Sequence, residues 1–122
     1  MTLTAIGVTL TATAASKGKA EALFKEKTFT FGEIPEKGGK VTHEFEFVNA
    51  GDANLVIVDA TAECGCTRPE YPAAPVAPGA KGVIKVTYNP IGRPGSFDKT
   101  VTVKTNGNPR KIRLKIKGYV KP

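Results

Sequence analysis

From Thr28 to the end, the chain breaks into short apolar runs separated by Gly, Pro, Asn and Asp, and within most of these runs apolar and polar residues strictly alternate. A period of two places one set of side chains on one face of an extended strand, so such a chain folds by burying half-apolar strands against one another. The longest case is Arg110–Val120, with Ile112, Leu114 and Ile116 on one side and Lys111, Arg113, Lys115 and Lys117 on the other. Val41–Val48 repeats the pattern: Val41, His43, Phe45 and Phe47 face in, and Thr42, Glu44 and Glu46 face out. Further strands are predicted at Thr28–Phe31, with Phe29 and Phe31 inward, at Val83–Tyr88, with Ile84, Val86 and Tyr88 inward, and at Lys99–Lys104, with Val101 and Val103 inward. No segment carries a convincing helical period.

The remaining apolar run, Leu55–Val58, is continuous, which predicts a central strand covered on both faces that delivers the chain to the cysteines. After them, Pro69, Pro72, Pro75 and Pro78 deny ladder donors and predict a crossing loop or edge strand between two sheets. Asn106-Gly107 predicts a tight primed turn joining the last two strands as a hairpin. Six strands, and a seventh within the proline-rich segment, give an all-β fold: an immunoglobulin-like antiparallel β-sandwich of about seven strands. A small barrel is the competing architecture.

The 122 residues suit one domain large enough for a core of its own. Met1–Ala15 is uncharged and ends in Ala-Thr-Ala-Ala, which reads as the apolar region and cleavage site of a truncated signal peptide lacking its basic leader. A Thr-rich strand or tail is the alternative reading; the run is too short for a membrane span, which needs about 18 to 20 apolar residues. Residues 16–27 read as a polar linker, transiently helical around Ala20–Phe24, and residues 28–121 as the sandwich domain.

None of the first fifteen residues carries charge, so the net charge of +7 belongs to the domain. It is concentrated late, at Lys104, Arg110, Lys111, Arg113, Lys115, Lys117 and Lys121, with no acid among them. Such a face suits an acidic protein or polysaccharide, anionic lipid or nucleic acid. Export removes nucleic acid from that set. The competing explanation is a solvated strand face whose lysines prevent edge pairing.

Candidate chemistry is confined to Cys64-Gly65-Cys66, which holds both cysteines of the chain. The spacing permits a disulfide if Gly65 bends the chain, although so small a loop removes only about 1.5 kcal/mol of unfolded-state entropy. It also permits a buried thiol pair, a redox couple without the Cys-x-x-Cys spacing, or a two- or three-coordinate Cu(I) site. A nucleophilic cysteine would need His43, the single histidine, which reads instead as a half-buried strand residue. Phosphate-binding loops, paired carboxylates and Ser-His-Asp sets are not seen, so a non-enzymatic role without cofactor is expected.

Phe31-Gly32-Glu33-Ile34, the strand end Phe45–Gly51, Cys64-Gly65-Cys66-Thr67, Pro78-Gly79, Val86–Pro90, Gly92–Phe97 and Leu114–Gly118 together resemble the exported bacterial domain-of-unknown-function family 1573, from about Phe29 to Val120. That family is similar to immunoglobulin-like domains of the Hydin and major-sperm-protein type and, more distantly, to PapD-like chaperone domains. The resemblance implies a sandwich of seven or eight strands and a periplasmic or extracellular address in a Gram-negative bacterium. It implies no activity; domains of this class act as binding or assembly modules. The expectation is therefore a non-catalytic exported module binding a protein or acidic polysaccharide through Cys64, Gly65, Cys66, Arg110, Lys111, Arg113, Lys115 and Lys117. Thiol redox or Cu(I) binding at the cysteine pair is the alternative.

Overall fold

In the computed structural model, which describes residues 18–122, eight strands follow in chain order. They are β1 (Ala22–Phe24), β2 (Thr28–Pro35), β3 (Val41–Asn49), β4 (Ile57–Ala62), β5 (Thr67–Glu70), β6 (Lys81–Tyr88), β7 (Gly95–Thr105) and β8 (Lys111–Lys121). They form two four-stranded sheets, the first in the order β1-β3-β6-β5 and the second in the order β2-β8-β7-β4. The fold is the all-β sandwich that the alternation predicts. The apolar run Met1–Ala15 lies outside the described residues.

The inward rows are those read from the sequence. Phe45, Ile84, Val86 and Tyr88 of the first sheet are at most 1% exposed, as are Val101, Val103, Leu114 and Ile116 of the second. Burying a side chain of this size contributes about 1.5–3 kcal/mol, so these facing rows dominate cohesion. Every strand pairing is antiparallel except one: β2 runs parallel to β8, Thr28 opposite Lys115 and Val120 opposite Ile34. A bulge between Thr30 and Glu33, with Gly32 at φ +77°, inserts one residue so that Ile34 rather than Glu33 turns inward after Phe29 and Phe31.

Several expectations are corrected. Residues 16–27 are not wholly linker, and Ala20–Phe24 is not helical: Ala22–Phe24 pairs with Phe47–Asn49 as β1, burying Ala20, Ala22 and Phe24. No clean alternation marks it, because Leu23 points outward between the buried Ala22 and Phe24, and lysines and glutamates surround the stretch. Leu55–Val58 is not a central strand. Leu55 makes an isolated bridge to Val76, Val58 is 56% exposed beside a register shift, and β4 is an edge of the second sheet. The continuous apolar run arises because Leu55 and Ile57 point inward while Val58 covers nothing.

The switch between sheets falls at Glu63–Cys66, between β4 and β5, earlier than the prolines suggested. Pro69 lies in β5 at the edge of the first sheet, where a missing donor is tolerated. Asn106-Gly107 is not a primed turn: β7 and β8 are joined by residues 106–110, and Gly107 has no positive φ. Its glycine serves close approach instead, since a Cβ there would strike the Ala20 carbonyl, to which Asn108 N–H donates at 3.0 Å.

One polar residue ties the N-terminal end together. Asn49 is fully buried; its Nδ2 donates to the carbonyls of Ala53 (2.7 Å) and Val76 (2.9 Å), and its Oδ1 accepts from the N–H groups of Gly51 (3.0 Å) and Glu21 (3.2 Å). Asn49 is the buried end of β3.

Candidate functional site

The cysteines are disulfide-bonded to each other, with their Cα atoms 5.3 Å apart. The turn that carries them is pinned at both ends in different sheets. Glu63 N–H donates to the Thr100 carbonyl of β7 at 3.3 Å, and Asn89 N–H, just after β6, donates to the Cys66 carbonyl at 2.9 Å. Thr67 N–H closes the turn onto the Cys64 carbonyl at 3.3 Å. The two sulfurs are not equivalent: Cys66 is 5% exposed and belongs to the core, while Cys64 is half-buried beside the exposed Gly65. Cys66 N–H donates to Cys64 Sγ at 3.2 Å, and the Thr67 hydroxyl lies 3.5 Å from Cys66 Sγ and 3.9 Å from Cys64 Sγ. Thr67, which the sequence reading passed over, is thus the side chain that meets both sulfurs.

Tyr88, opposite Thr67 in the ladder, forms the floor next to this turn and stacks on Phe97 with ring centroids 4.1 Å apart. Burial pushes its phenol up from the ordinary tyrosine range, and Arg93 pulls it partly back.

On the outer face of the second sheet, β8 places Lys111, Arg113, Lys115 and Lys117 in one row, as the period of two requires. Lys104 of β7 lies opposite Lys111 and extends the row sideways. Arg110 stands just before β8 in the connecting loop, outside the row. The sheet also brings acids that β8 itself lacks: Asp98 is opposite Lys117, its Oδ2 is 3.5 Å from Lys115 Nζ, and Asp59 is opposite Lys104. Those acids belong to neighbouring strands, so a reading along β8 does not see them. Arg113 shares a surface groove of about 330 Å³ with Thr61, Ala62, Glu63, Thr100 and Thr102. Through Glu63 this groove reaches the cysteine turn.

His43 is brought to neither feature. Its ring lies flat on Phe29 (centroids 3.7 Å, planes 9° apart), its edge meets Phe45, and its Nε2 is 3.0 Å from Glu26 Oε2. It packs the joint where the chain crosses from β1 to β2, a structural histidine. Among the described residues no three His, Cys, Asp or Glu side chains gather as a metal site, and no helix is long and apolar enough to cross a membrane.

Two four-stranded sheets closed on an apolar core, with a sheet switch at the Cys64 turn, define an immunoglobulin-like sandwich. Within that class the chain belongs to the family described as "Protein of unknown function (DUF1573)", which matches residues 22–120. Among solved structures it is similar to a protein of unknown function from Porphyromonas gingivalis W83, with 14% identity, a TM-score of 0.69, and coverage of 81% of this chain and 47% of that one. It is also similar to the VesB protease of Vibrio cholerae (12% identity, TM-score 0.61, 86% of this chain, 32% of that one). A third similar structure is the CupB2 chaperone of Pseudomonas aeruginosa (15% identity, TM-score 0.54, 80% of this chain, 55% of that one). The chain spans about half or less of the first two, and at these identities the likeness is one of fold. No curated protein matches it.

Proposed function

We propose that the chain is a non-catalytic binding module, exported to the periplasm or cell exterior, whose outer second-sheet face docks an anionic protein or acidic polysaccharide. The observation that carries this reading is the row Lys111, Arg113, Lys115 and Lys117 with Lys104 alongside. Lys104 and Lys111 stand opposite one another, a like-charge pair that opposes sheet pairing, and Asp59 and Asp98 offset the charge of the row only in part. An anionic partner supplies the compensating charge. The fold likeness to a chaperone supports protein binding as the class of activity.

The test is retention on immobilised alginate and on immobilised poly-glutamate across a salt gradient. Reversing Lys111, Arg113 and Lys117 to Glu should lower the eluting salt more than reversing Lys25, Lys81 and Lys85, which project from the first sheet or its edge. Equal loss from both triple variants means that only net charge matters, and the proposed face is then wrong.

A further inference from the structure

The cysteine turn remains unexplained by the fold and by the charged face. A bond enclosing one glycine constrains the unfolded chain by only about 1.5 kcal/mol, little beside the burial of the two facing core rows. Its two sulfurs differ in access, the half-buried Cys64 standing beside an exposed glycine with open space where a Cβ would be, and Cys66 lying in the core. A thiol attacking this disulfide therefore reaches Cys64 Sγ first. When that bond opens, the hydrogen bonds from Glu63 N–H to Thr100 and from Asn89 N–H to Cys66 still hold the turn in both sheets, keeping the two thiols within reach of each other. The Thr67 hydroxyl beside Cys66 Sγ and the Cys66 N–H beside Cys64 Sγ are donors placed to steady negative charge on either sulfur.

We infer that Cys64 and Cys66 form a thiol–disulfide exchange site for dithiols of peptides or proteins, Cys64 being the exchanging sulfur and Cys66 its buried partner. A substrate thiolate attacks Cys64 Sγ; the Cys64–Cys66 bond breaks and its electron pair leaves on Cys66 Sγ, which takes up a proton. The second substrate thiolate then attacks the substrate sulfur of the mixed disulfide and releases Cys64 as a thiolate, which is protonated in turn. One substrate dithiol becomes a disulfide and the protein disulfide becomes two thiols. This assignment stands apart from the charged face and survives or fails without it.

Two measurements test it. The folded, oxidised protein is treated with dithiothreitol without denaturant, quenched with an alkylating agent and weighed intact, while circular dichroism follows the fold. Both cysteines should be alkylated with the β signal retained; alkylation only once that signal is lost overturns the inference. Cys66→Ser and Cys64→Ser are then exposed separately to glutathione disulfide. The Cys66→Ser protein, retaining Cys64, should form the mixed disulfide at least about tenfold faster than Cys64→Ser. Equal rates, or faster reaction of Cys66, overturn the assigned roles, and the wild-type measurement decides the matter if either variant fails to fold.

Discussion

Replacing Asn49 with Ala removes four side-chain hydrogen bonds from a fully buried position. The Val76 carbonyl keeps a partner, because Leu55 N–H donates to it at 2.9 Å. The Ala53 carbonyl and the N–H groups of Gly51 and Glu21 lose the side-chain partner that holds them. At about 1 kcal/mol for each group left without its bond, the loss is about 3 kcal/mol, a large share of the roughly 5–15 kcal/mol that holds a domain together. Urea unfolding should show it as a midpoint lower by about 2 M at unchanged slope, and heating as a melting temperature lower by some 15 °C or more. Asn49→Asp is the sharper control. It keeps the acceptor toward Gly51 and Glu21 but turns an anionic oxygen toward two carbonyls, so it should cost at least as much as Ala. A loss below about 1 kcal/mol in Asn49→Ala, or a benign Asn49→Asp, would refute the claim that this amide organises β1, β3 and the Val76 segment.

Two further outcomes are expected. Because burial raises the Tyr88 phenol, the unfolded chain ionises first on going alkaline. Its contribution to stability is whole below about pH 10 and is lost as pH rises through the folded value; urea midpoints between about pH 9 and 11 should fall less steeply in Tyr88→Phe. A chain beginning at Lys25 lacks Ala20, Ala22 and Phe24, the last of which packs on Phe47 with centroids 5.2 Å apart. It should lose about 3 kcal/mol or more and associate through the bared edge of β3, read by size-exclusion chromatography. A monomer of unchanged stability would return residues 16–27 to the status of linker.

Where a strand is long and one face is buried, as in β3, β6 and β8, alternation alone names the inward residues: Phe45, Ile84 and Leu114 are fully buried as read. Legibility fails where packing comes from far along the chain. Ala20 and Ala22 are small residues in a charged stretch, and only the Gly107 loop and β3 show why they are buried. Val58 reads as core beside Leu55 and Ile57, yet an edge strand with a register shift leaves it outside. His43 reads as half-buried from its strand, but its stacking on Phe29 joins two sheets and leaves no trace in local pattern. At the cysteine turn, the sequence shows that the pair sits where a strand ends. It does not show which sulfur is covered, because the turn is fixed by backbone partners, Thr100 and Asn89, that come from far along the chain.

The parallel pairing of β2 with β8 bears on the order in which the protein can be made. Among the described residues, Thr28–Pro35 has Lys111–Lys121 as its one strand neighbour, with β3 to β7 lying between the two in sequence. As the polypeptide emerges from its N-terminus, β1, β3 and β6 can meet early, but Phe29 and Phe31 must wait on an unmatched strand until β8 arrives. Contacts of such long sequence separation are slow to close. Completion of the second sheet therefore waits on β8, and a chain stopped short of Lys111 carries an open, aromatic edge that invites pairing with whatever strand is nearest.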